Sequence, residues 1–197
     1  MLRKKKVKKG LFSMSILTVE HLSHGFGDRA IFQDVSFRML KGEHIGLVGA
    51  NGEGKSTFFN IITGAQRPDE GKIEWAKNIN IGYLDQHTVL EKGLSIRDVL
   101  KSAFADLFEM EIRMNTICEQ LCDADEDTMN SLMEELGVIQ DILTLRDFYL
   151  IDSKVDEIAR AFGLTDIGLD KDVTDLSGGQ RTRILLGKLL LQKPDIL

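Results

Sequence analysis

Gly49-Ala50-Asn51-Gly52-Glu53-Gly54-Lys55-Ser56-Thr57 is the stretch whose reading decides the fold. It has the form G-x-x-x-x-G-K-[ST], in which backbone N–H groups and a lysine cradle phosphates. Its surroundings fit. His44-Ile45-Gly46-Leu47-Val48 enters as an apolar run of the kind that makes a buried strand. Ser56-Thr57-Phe58-Phe59-Asn60-Ile61-Ile62 leaves as a helix, and Gly64 ends it. Gly49, Gly52 and Gly54 permit backbone angles that a Cβ would block. Successive N–H groups then converge at the positive end of a helix, which stabilises an anion. In such a loop Lys55 is expected to reach the β- and γ-phosphates, and the Ser56 hydroxyl to ligate Mg²⁺.

The 197 residues suit one domain with a real core. No apolar run is long enough to cross a bilayer. The start, Met1-Leu2-Arg3-Lys4-Lys5-Lys6-Val7-Lys8-Lys9, is basic but lacks the apolar centre of a signal peptide. These features predict a soluble cytoplasmic protein. Cys118 and Cys122 stand one helical turn apart with no further ligands nearby, so they read as two thiols on one helix face in a reducing compartment. The net charge of −6 is uneven, with a basic start and an acidic stretch from Glu109 to Glu157. Residues 1–13 read as a disordered basic tail. It is either an arm for nucleic acid or translated upstream sequence or a cloning remnant, and the ordinary-looking start at Met14-Ser15-Ile16-Leu17 favours the latter.

Before the loop, Ile16 to Leu22 and Ala30 to Leu40 read as two strands, with His24-Gly25-Phe26-Gly27-Asp28 as the turn between them. They predict a small antiparallel sheet. After the loop, Lys72 to Trp75 and Ile79 to Leu84 read as short strands, the second closing at Gln86. From Ser95 to about Phe162 the apolar residues recur at three- and four-residue steps, as in amphipathic helices. Ser95 opens the first as an N-cap, with Asp98 in the first turn. Asp123-Ala124-Asp125-Glu126-Asp127 interrupts the run as a solvated loop, without the glycine and terminal glutamate that a calcium loop needs. Then Leu176-Ser177-Gly178-Gly179-Gln180 precedes a leucine-rich helix that Pro194 stops. Exposed N–H groups, a favourable dipole and a hydroxyl make Ser177 and its glycines a second anion site, or simply a flexible helix start.

A phosphate loop, a strand ending in Gln86 and Leu-Ser-Gly-Gly-Gln opening a helix, in that order and spacing, resemble the ATP-binding-cassette ATPases. The resemblance covers Met14 to Leu197. It implies a P-loop α/β core with an antiparallel β subdomain and a helical subdomain, and two cassettes that dimerise head to tail around two ATP molecules. By that resemblance Lys55 and the amides from Asn51 through Gly52, Glu53, Gly54 and Ser56 to Thr57 hold one triphosphate. Ser56 and Gln86 hold its Mg²⁺, and Phe26 stacks on adenine. Ser177, Gly178 and Gly179, with Gln180, face the γ-phosphate bound by the partner cassette. Ninety positions separate Gln86 from Leu176, more than the helical subdomain of a transporter subunit needs. The extra helices look like the arm of the ABC-F proteins, which carry two cassettes and no membrane domain. Those relatives bind the ribosome and act on translation or antibiotic resistance. An acidic arm argues against simple phosphate contacts: either it uses protein or shape contacts, or basic residues elsewhere bind the RNA.

The expected organisation is a tail at 1–13, a nucleotide-binding core at 14–94, a helical arm at 95–157 and a signature region at 158–197. In the family the Walker B aspartate and catalytic glutamate lie beyond the position of Leu197, so the chain reads as a C-terminally truncated first cassette. Negligible ATP turnover is then expected, because the hydrolytic water has no general base, and a weakly stable core, because the strand at Leu47 lacks partners and leaves an unpaired edge. Two alternatives stand beside this reading: the ATPase subunit of a membrane transporter, and a regulatory module that binds nucleotide without turnover.

Overall fold

The computed structural model describes residues 2–4, 15–84, 88 and 90–197. Its contacts divide the chain into two compact units, Met1–Ile81 with Ile196, and Gly82–Asp195 with Leu197.

In the first unit, strands β2 (Ser15–Phe26) and β3 (Arg29–Leu40) form an antiparallel hairpin. Strand β5 (Glu70–Trp75) pairs with the other edge of β2, which gives the order β3-β2-β5. The expected turn at His24–Asp28 is shorter than its glycines and aspartate suggested. The strand runs on to Phe26, and only Gly27 and Asp28 turn the chain. The reason is burial: the His24 side chain faces inward and extends the ladder.

Helix α1 (Lys55–Ile62) lies on this sheet. Its Phe58, Ile61 and Ile62 share a core with Leu17, Val19 and Leu22 of β2. Eight residues are too few to hold a helix by propensity. Burial of side chains such as these, about 1.5–3 kcal/mol each, holds it instead. The Trp75 indole N–H donates to Ile62 O at 3.0 Å and satisfies a carbonyl at the end of α1.

Strand β4 (Ile45–Leu47) is short and corrects the expectation of a buried strand. Ile45 and Leu47 are half-buried, and Val48 is 64% exposed. Among the described residues its ladder partner is β1 (Leu2–Lys4), antiparallel, so part of the stretch expected to be unstructured is strand. The strand expected at Ile79 to Leu84 is reduced, among the described residues, to an isolated parallel bridge between Ile81 and Ile196.

The second unit is helical: α2 (Ile96–Lys101), α3 (Ala105–Gln120), α4 (Glu126–Leu145), α5 (Ile151–Ala161) and α6 (Gly178–Leu191). Ser95 caps α2 reciprocally with Asp98, as expected. The acidic break does more than expose charge. The Asp125 carboxylate accepts from Thr128 N at 2.9 Å and starts α4.

Asp106 at the start of α3 pairs with Arg146 just past α4, and Arg113 grips Glu135 through two bonds of 2.7 and 2.6 Å. Those pairs align α3 and α4 antiparallel. The regions read as arm and signature share one core: Leu100, Ile117, Leu143, Val155 and Ile184 all belong to it. At Gly187 helix α6 comes close to Leu100 and Ile158, where a Cβ would stand 3.2 and 3.0 Å from their side chains.

Candidate functional site

The phosphate loop connects β4 to α1, and its conformation follows from its glycines. Gly52 and Gly54 both have φ of 83°, a left-handed backbone that other residues adopt at a cost. At Gly54 sterics add to this, because a Cβ there would overlap Ile31 Cγ2 of β3. Gly54 is also the N-cap of α1 and supplies no side-chain hydrogen bond to the helix start. The first amides of α1 therefore lack the side-chain acceptor that most helices provide, and an anion is the natural substitute.

Lys55 is held in place before any ligand arrives. Its Nζ donates to Gly49 O at 2.9 Å and to Ala50 O at 2.7 Å. An ammonium has three donors, so one remains for a phosphate oxygen. The Glu53 carboxylate accepts from Ala50 N at 2.7 Å and closes the loop from its other side. Asn51, Gly52, Glu53 and Ser56 are exposed, and Thr57 is half-buried.

A cleft of about 520 Å³ opens in front of this loop, lined by Gly49, Glu53, Gly54 and Lys55 together with Arg29, Ala30, Ile31 and Phe32 of the hairpin. The structure thus brings Gly49, Glu53, Gly54 and Lys55 together around one hollow. Arg29 adds a second cation that motif reading missed. It directly follows the hairpin turn, and nothing in the local sequence marks it as facing the loop. The donor set fits a triphosphate with its metal: an ammonium with a free donor, uncapped helix amides and the exposed hydroxyl of Ser56.

Phe26 sits on the same hairpin, 56% exposed beside the Gly27-Asp28 turn, but it does not line this cleft. Gln86, expected to hold the metal, lies outside the described residues.

The second predicted site is the start of α6. Ser177 is its N-cap: Gln180 N donates to Ser177 Oγ at 3.4 Å, and Ser177 N donates to Gln180 Oε1 at 2.9 Å. Gly178 and Gly179 are exposed, and a Cβ on either would meet nothing within 4 Å. Arg181 donates from Nη2 to Thr174 O at 2.7 Å and ties the helix start to the preceding turn.

The family model described as ABC transporter matches residues 32–197. The chain is 71% identical over 184 residues to the uncharacterized ABC transporter ATP-binding protein YfmM of Bacillus subtilis, covering 93% of this chain and 36% of that protein. It is 33% identical over 182 residues to the energy-dependent translational throttle protein EttA of Mycobacterium tuberculosis, covering 92% of this chain and 32% of that protein. The chain therefore spans about a third of the length of these curated relatives.

Among solved structures, an ATP binding subunit of an ABC transporter superposes with a TM-score of 0.60 at 20% identity, over 91% of this chain and 63% of that one. That likeness bears on the fold, and the fold is that of an ABC ATPase: α/β, with an antiparallel sheet beside the phosphate loop and a helical part. No helix among the described residues is long and apolar enough to cross a membrane. With a family match over most of its length, this chain belongs to the ABC transporter family of ATPases, which take ATP with Mg²⁺.

Proposed function

We propose that this chain is the nucleotide-binding part of an ABC-F-type ATPase, and that its whole protein uses ATP to act on the ribosome. The observation that carries the reading is Lys55, fixed by Gly49 O and Ala50 O with one donor left toward the cleft. The amides from Asn51 to Thr57 bind the triphosphate, and Lys55 adds a charge-assisted bond. Ser56 and Gln86 would hold the Mg²⁺, directly or through water, and the ion would neutralise charge on the phosphate oxygens. Phe26 stacks on the adenine.

Glu53 is the carboxylate among the described residues that line the cleft, and it is committed to Ala50 N. Glu53 therefore shapes the loop, and we assign it no proton transfer. Among the described residues, no neighbour demands a glycine at Gly178 or Gly179. That openness supports their role as the surface that meets the γ-phosphate on a second cassette. The paired α3–α4 hairpin serves as the arm, and the name of the translational throttle relative supports a ribosomal partner.

The test is calorimetric titration of the chain with MgATP. Lys55→Ala is expected to weaken binding about tenfold or more, the loss of a hydrogen bond to a charged group, with an unchanged melt. Equal affinity in the variant overturns the site. Co-sedimentation of the full-length protein with ribosomes, against co-purification with a membrane protein, decides the partner.

A further inference from the structure

The inner face of β2 changes phase at a bulge. Leu17 and Val19 are buried at alternate positions, and the ladder to β3 then shifts between Val19 and Leu22. His21 takes φ of 51° there. Gly71 of β5 lies against the bulge, where a Cβ would come within 2.6 Å of His21 O and Leu22 Cα. Beyond the shift Leu22 and His24 point inward, whereas an unbroken alternation would have placed His21 and Ser23 there.

An imidazole is thereby buried to 7% exposure, and a buried polar ring is costly without partners. His24 has them. Gln66 Nε2 lies 2.8 Å from His24 Nε2, so the amide donates and the ring proton sits on Nδ1. Nδ1 faces Asp69 Oδ1 at 3.2 Å, close enough for electrostatic attraction though not aligned as a hydrogen bond. The other Asp69 oxygen accepts from Gly25 N at 2.8 Å, and Asp69 N donates to Ser23 O at 3.1 Å. The loop after α1 thus clasps the far end of β2. The outward edge of this clasp is aromatic: the His24 ring meets Phe26 edge to face, with centroids 5.1 Å apart and planes at 85°.

We propose that His24, held by Gln66 and Asp69, is a positioning residue for Phe26: it fixes the ring against which the adenine stacks. The inference rests on the reading of Phe26 as the base contact. An exposed phenylalanine at a hairpin end must otherwise lose rotamer freedom when a base binds, and a ring already set by an edge contact loses less. The clasp therefore contributes to binding of the base and not of the phosphates, which the loop at 49–57 handles separately.

Calorimetric titrations of the chain with MgATP and with magnesium tripolyphosphate separate the two parts. His24→Ala is expected to weaken ATP binding about fivefold, the size of one aromatic edge contact, and to leave tripolyphosphate affinity unchanged. Asp69→Ala, at an exposed side chain, should act in the same direction and guards against a His24 variant that does not fold. The double variant His24→Ala/Phe26→Ala should bind ATP no worse than Phe26→Ala alone, because one residue acts through the other. Equal loss for both ligands, no loss for either, or additive losses in the double variant would overturn the positioning role. Unchanged ATP affinity in Phe26→Ala overturns the base-contact reading as well, and only that outcome reaches it.

Discussion

Helices α1 and α6 both have glycine at their start, as the N-cap of α1 and the first two residues of α6, and the molecule uses those glycines in opposite ways. At α1 the N-cap Gly54 has φ of 83°, has its Cβ position filled by Ile31 and offers the helix no side-chain acceptor. At α6 the cap is complete within the chain through Ser177 and Gln180, and the two following glycines have open space around them. The first start is a folding constraint that leaves amides waiting for an anion. The second is already satisfied, and its two glycines leave the helix start open to the outside. A glycine pattern in a sequence does not distinguish these cases; the neighbours of the missing Cβ do.

The largest expected effect that would break this contrast is at Gly54. Gly54→Ala must adopt a left-handed backbone and displace Ile31, so it is expected to cost about 1–3 kcal/mol and to abolish ATP binding. Urea denaturation and a nucleotide titration check this, and an unchanged urea midpoint would show that the glycine is not required by the fold.

A smaller effect sharpens the other side. Ser177→Ala removes the α6 cap and is expected to lower stability by about 1 kcal/mol. Gly179→Ala, with nothing to meet, should leave the melt unchanged or raise it slightly. A lower melting temperature in Gly179→Ala would mean that α6 needs its glycine as α1 does.

The smallest effect per residue is that of pH, and it belongs to the helical unit. Hydrogen bonds from Ser95 hold Asp98 below the usual carboxylate range, those from Thr128 hold Asp125, Arg113 holds Glu135, and Thr174 with Gly93 N holds Asp172. A carboxylate whose folded value is depressed stabilises the fold above its ordinary value of about 4, and that contribution fades as pH falls through the folded value. Helical circular dichroism should therefore decline on acidification below about pH 4. Asp172→Asn, less stable near neutrality, should show a shallower decline, and a decline as steep as that of the parent chain would remove Asp172 from this account.

Much of this was legible beforehand because it depends on local chemistry. The G-x-x-x-x-G-K-[ST] run, the Ser95 and Ser177 caps and the three-to-four-residue periodicity of the helices are written in contiguous residues. What was missed depends on residues far apart in the chain. The turn that the glycines predict at His24–Asp28 contracts to Gly27 and Asp28, because the burial of His24 rests on Gln66 and Asp69, more than forty positions away. Val48 reads as a core residue from its neighbours, yet its exposure is set by how few strands flank β4 among the described residues. Arg29 is silent until folding sets it at the loop.

The sequence by itself determined the chemistry at the phosphate loop, since glycine torsions and a lysine at fixed spacing constrain an anion site wherever they occur. Only the tertiary structure decided which glycines are obligatory, which histidine is buried and which hairpin residues face the loop. Those properties belong to the space between segments, and a strand bulge of one residue is enough to exchange the inward and outward faces that the sequence pattern alone would assign.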